Sequence, residues 1–66
     1  MKVVKLHQIN QKAPQEILIN ADLVVMIEEE KSPGLVQYGG KSKISFSTGG
    51  HIVVTEDLTA LEKALK

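Results

Sequence analysis

The sequence predicts an α+β domain, a small antiparallel sheet of roughly four to five strands with a C-terminal amphipathic helix packed on one face. Three observations lead there. Short runs rich in β-branched residues recur along the chain, Pro-Gly and Gly-Gly pairs separate them, and the hydrophobic period changes from two to 3.6 after Val54.

Residues 3–9 (VVKLHQI) read as the first strand, with Val4 and Leu6 on one side and Lys5 and His7 on the other. A polar connection carrying Pro14 follows. Residues 16–20 (EILIN) make a second strand, antiparallel to the first if a simple hairpin joins them. Asn20, Ala21 and Asp22 then turn the chain, because Asn and Asp side chains satisfy nearby backbone donors. Residues 23–27 (LVVMI) are continuously apolar. A helix over 21–31 capped by Asn20 is the alternative, and Val24, Val25 and Ile27 favour a strand. Residues 31–42 (KSPGLVQYGGKS) hold two turn signals around a small apolar island and predict a short edge strand or a mobile flap.

The C-terminal third gives a register. Ile44 and Phe46 share one strand face, as do Ile52 and Val54. A loop of Gly49 and Gly50 alone would set Phe46 opposite Val53 and mix the faces. The loop Thr48-Gly49-Gly50 sets Phe46 opposite Ile52 and Ile44 opposite Val54, with Gly50 taking positive φ. Beyond Val54, the residues Leu58, Leu61 and Leu65 recur at helical spacing with Ala60 and Ala64 beside them. Thr55 or Asp57 can cap this helix, Glu56 and Asp57 suit its positive end, and Lys63 and Lys66 its negative end. So short a helix is marginal alone and must bury its leucines on the sheet.

At 66 residues the chain makes a single domain, residues 1–66, with a thin core, since a domain this small buries only about 60% of the surface its unfolded form exposes. There is no cysteine, which excludes disulfide staples and thiolate zinc clusters. Eight basic residues, all lysine, balance eight acidic ones. That neutrality, and the lack of arginine, argue against nucleic acid as a partner. The first ten residues carry no apolar run suited to a signal peptide or a membrane span, so a cytoplasmic location is expected.

Two stretches, ILINADLVVMIEE at 17–29 and KISFSTGGHIVVTEDLTALEKAL at 43–65, resemble a family of small bacterial flagellar and swarming-motility proteins of the FlbD or SwrD type. The first stretch is similar to the family's pattern of Leu-Asn, then Asp-Leu-Ile, then Ile-Glu, and the second to its strand, Thr-Gly turn, strand and acidic helix start. The resemblance implies an accessory role in motility. The chain departs from the pattern in a longer first hairpin loop and in the longer KSPGLVQYGGKS connection, and loops are where function is carried. The hairpin and helix ending is also similar to the second half of LytTR-type DNA-binding domains, without their length or basic loops.

Catalytic chemistry finds little footing. His7 and His51 are scattered and lack ligand spacing, so surface or interface histidines are expected and no metal or cofactor is implied. Glu28, Glu29 and Glu30 alternate faces as strand residues and cannot converge on one atom. Gly39-Gly40-Lys41-Ser42 has the end of a phosphate loop without its start, since position 35 is Leu and a strand follows. Ser45, Ser47 and Thr48 have no base placed beside them. No catalytic residue is assigned, and the expectation is a non-enzymatic protein acting by contact.

The contact residues follow from the faces. With Val4, Leu6, Ile17, Ile19, Ile44, Phe46, Ile52 and Val54 under the helix, the residues Val3, Leu18, Val25 and Val53 form a second apolar row, to which Leu35 and Tyr38 of the flap are added. The expected partner is a second copy of the chain, with another protein as a further partner. A small nucleic-acid-binding regulator using Lys2, Lys5, Lys41 and Lys43 is the alternative, and an accessory protein of a mobile element a third.

Overall fold

The computed structural model of the protein describes residues 2–10 and 12–65. Among them, β1 (Val3–Gln8), β2 (Gln15–Asn20), β3 (Val24–Glu29), β4 (Ser42–Phe46) and β5 (His51–Val54) form a single sheet in the order β2-β1-β5-β4-β3, antiparallel throughout. Helix α1 (Pro33–Val36) lies between β3 and β4, and α2 (Leu58–Leu65) ends the chain. The expected α+β architecture is the one found, and β2 and β3 are its two free edges.

β1 and β2 pair as their alternation predicts, with Val4 opposite Ile19 and Leu6 opposite Ile17. The turn after β2 is a single 3-10 turn, Ala21–Leu23, and Asn20 Oδ1 accepts the Asp22 amide at 3.0 Å. β3 is a strand, as its β-branched residues indicate. It carries a bulge: Val24 pairs with Phe46 and Met26 with Ser45, which leaves Val25 as the inserted residue.

The C-terminal hairpin differs from its expected register. Ile44 lies opposite Ile52, and Ser42 opposite Val54, so the pairing of Phe46 with Ile52 is not made. The loop has the expected three residues but begins one earlier, at Ser47-Thr48-Gly49. The Gly49 amide donates to the Phe46 carbonyl and the Phe46 amide to the Gly50 carbonyl, each at 2.9 Å. Gly49, at φ +100°, is therefore the left-handed residue in place of Gly50. Moving a loop by one residue shifts the pairing by two, which preserves side-chain parity. Ile44, Phe46, Ile52 and Val54 still share a face, and the face argument could not distinguish the two registers.

Helix α2 packs on that face. Asp57 is the cap, its Oδ1 accepting the Ala60 amide at 2.8 Å. Thr55 instead continues the sheet, its amide donating to the His7 carbonyl at 2.8 Å. Leu61 is fully buried against a core of Val4, Leu6, Ile19, Ile44 and Val54, with Ala64 and Leu65 at its margin. Leu58 stays 42% exposed, so the buried stripe is shorter than its spacing predicts. Lys63 occupies the last turn, and Lys66 lies outside the described residues.

Residues 31–42 form neither an edge strand nor a free flap. Pro33 starts the single turn of α1, whose first bonds run from the Leu35 and Val36 amides to the Ser32 carbonyl. The segment is then tied to the sheet, with the Lys41 amide on the Val54 carbonyl and the Glu30 amide on the Lys41 carbonyl.

Candidate interaction surface

Strand parity assigns the face opposite α2. Val3, Lys5, His7 and Ile9 of the first strand and its end point there, with Glu16 and Leu18 of β2, His51 and Val53 of β5, and Lys43 and Ser45 of β4. The chain just after α1 settles on this face at Val53 of the central strand β5. A Cβ on Gly40 would lie 2.8 Å from Val53 Cγ1 and 2.9 Å from the Leu35 carbonyl oxygen, so a glycine is required for the chain to settle on Val53. Val53 is consequently 8% exposed.

That placement corrects the expected second row. Val3, Leu18, Val25 and Val53 do not form one contiguous patch. Val53 is buried beneath Gly40, Leu18 lies on the edge strand β2 with Val3 on β1 beside it, and Val25 lies at the opposite edge. The bulge also removes Val25 from the row and gives its place opposite Ser45 to Met26. Val25 lines a shallow depression of about 350 Å³ with Ala21, Val24, Met26, Ile27 and Leu65. No periodicity signals a bulge in an apolar run, which is why Met26 was missed.

Two apolar zones remain open. On the edge strands Leu18 is 67% exposed, Val25 65% and Met26 50%, and Val3, on β1 beside β2, is 49% exposed. Beside the α1 segment, Leu35 and Tyr38 line a groove of about 270 Å³ with Ile9, Asn10 and Gly34. The structure thus brings Leu35 and Tyr38 together and separates them from Leu18 and Val25.

A polar latch closes one end of this face. The His7 amide donates to both oxygens of the Glu56 carboxylate at 3.1 Å, and Nδ1 lies 2.8 Å from Oε2. A carboxylate only accepts, so Nδ1 carries the proton and Nε2 faces Glu16 Oε2 at 4.0 Å. Partial burial opposes ionisation of Glu56, but its hydrogen bonds with the His7 side chain and amide outweigh that, and the carboxyl sits below its ordinary value of 4.5. His7 and Glu56 are 49 residues apart, and only the pairing of β1 with β5 brings them together. Sequence spacing held no signal for it.

The lysines of the nucleic-acid reading are interleaved with acids. Lys5 Nζ lies 3.9 Å from Glu16 Oε1, and Lys43 is directly opposite Glu28 across the β3–β4 pair. Among the described residues no group of three His, Cys, Asp or Glu side chains is arranged to hold a metal ion, and no helix is long and apolar enough to cross a membrane. Ser42, at the end of the apparent phosphate loop, is a buried strand residue whose hydroxyl has no hydrogen-bond partner among the described residues.

These features define a class, a small α+β protein with an open antiparallel sheet, one helix-covered face and apolar side chains exposed at both edges. Comparison with protein-family models, with curated proteins and with solved structures found no match for the chain.

Proposed function

We propose that this is a non-enzymatic protein that acts by contact, first with a second copy of itself and further with another protein, through apolar side chains at the sheet edges. One observation carries the reading: Leu18, Val25, Met26 and Val3 are each about half exposed or more in a domain too small to spare them from its core. Scattered exposed hydrophobics are ordinary, but here Leu18, Val25 and Met26 lie on the two edge strands, whose outer sides have no strand partner among the described residues, and Val3 lies beside β2 on β1. The resemblance to motility proteins suggests where a further partner would be sought, and the contact reading does not depend on it. Light scattering tests it. A mass rising above the chain's 7.2 kDa with concentration, and falling back in a Leu18→Lys/Met26→Lys double variant, is expected. A concentration-independent 7.2 kDa would remove self-association from the reading.

A further inference from the structure

The two free edges are not alike. β3 is interrupted by its bulge and ends at Glu28 and Glu29, followed by Glu30, all features that discourage strand addition. β2 pairs with β1 in unbroken register from Gln15 to Asn20 and contains no proline, lysine or bulge. An edge without such protection is a template for another strand.

The side of β2 that is free can be assigned. The Ala21 amide donates to the Lys2 carbonyl at 2.8 Å, across the β1–β2 pair. Backbone groups alternate sides along a strand, so those of Gln15, Ile17 and Ile19 also face β1, while those of Glu16, Leu18 and Asn20 face outward.

The geometry points to β2 of a second copy as the strand that covers this edge, antiparallel about a two-fold axis through Leu18. In that register the two Leu18 residues exchange N–H···O=C bonds in both directions, and each Asn20 amide meets the partner's Glu16 carbonyl. Side chains match as well: Leu18 stacks on the partner's Leu18 on one face, and Ile17 on the partner's Ile19 on the other. Glu16 already has Lys5 beside it and faces the partner's Asn20, so no like charges oppose. Neighbouring registers do worse. A shift one way sets Glu16 against the partner's Leu18 and brings Asn20 opposite the partner's Pro14, which has no amide. A shift the other way opposes Glu16 to the partner's Asp22.

Pairing of single short strands falls at the small end of specific interfaces, roughly 1,200 Å² or less in total, so a concentration-dependent dimer is expected. This inference rests on the self-association reading and specifies its interface.

The test combines amide exchange and sedimentation on the full chain. Protection of the Glu16, Leu18 and Asn20 amides should rise with protein concentration, while that of the Ile17 and Ile19 amides, bonded within the chain, should not. Leu18→Lys sets two ammonium groups together at the axis, and Leu18→Pro removes an outward amide not used within the sheet. Each should weaken dimerisation at least tenfold with the circular dichroism spectrum retained. Val25→Lys, on the other edge, should leave the dimer intact. A dimer that survives both Leu18 variants, or concentration-independent exchange at all three outward amides, overturns the β2 interface. The first outcome leaves self-association standing through another surface, and the Met26 edge is then the one to map.

Discussion

Replacing Leu61 by alanine is expected to cost this domain much of its stability. Leu61 is wholly buried, and so are Ile44 and Val54 in the same cluster, which leaves the neighbouring strands little freedom to close over a gap. The substitution removes three carbon groups, about 2.4 kcal/mol at ~0.8 kcal/mol per buried methylene. The unfilled volume adds to this, giving a total of about 3–5 kcal/mol. A chain of this length holds only about 3–10 kcal/mol. With a urea slope of about 1 kcal/mol per molar, the midpoint should fall by about 3 M, or the variant should be unfolded at zero urea. Urea melts followed by circular dichroism give the answer, with exposed Lys63→Ala as the control, expected to shift stability by no more than about 0.5 kcal/mol. Coincident midpoints for the two variants would mean that α2 does not dock through Leu61.

Other perturbations address particular contacts. Glu56→Ala strands the His7 amide and Nδ1 and should cost about 1.5–3 kcal/mol at neutral pH. Because the Glu56 carboxyl is lowered in the folded state, its contribution is complete above its ordinary value of 4.5 and is lost as pH falls through the lower folded value. Urea midpoints from pH 7 down to 3 should therefore converge for wild type and Glu56→Gln, and parallel curves would count against the latch. Gly49→Ala should cost about 1–2 kcal/mol by forcing a side chain into the left-handed region, whereas Gly50→Ala, with open space around it, should cost much less; the reverse order would restore the register with Gly50 as the left-handed residue.

The sequence was legible where parity and period act alone. The antiparallel β1–β2 pair, the strand after Asn20, the Asn20 turn, the fully buried Leu61 and the helix on one face were all readable from alternation and capping chemistry. Parity is blind to shifts of two residues, and so it allows a hairpin loop one residue later than the one formed. The α1 segment was unreadable for a different reason: its position depends on the absence of a Cβ at Gly40 above Val53, a contact between residues distant in sequence. Of the six expected contact residues, Leu18 lies exposed on the edge strand β2, Val3 lies exposed on β1 beside it, and Leu35 and Tyr38 share a groove. Val53 is lost to the core because that segment covers it, and Val25 is displaced by a bulge without a composition signal.

The central claim is contact by apolar edges, and retention of a tagged copy of the chain on the immobilised chain tests it most directly, with duplex DNA run in parallel as salt is raised. Apolar strand pairing is little affected by ionic strength, whereas phosphate contacts weaken steeply with it. The account predicts that the tagged copy is held almost equally at low and high salt and that DNA is not held. Retention of DNA that disappears as salt rises, with no retention of the tagged copy at any salt, would contradict it.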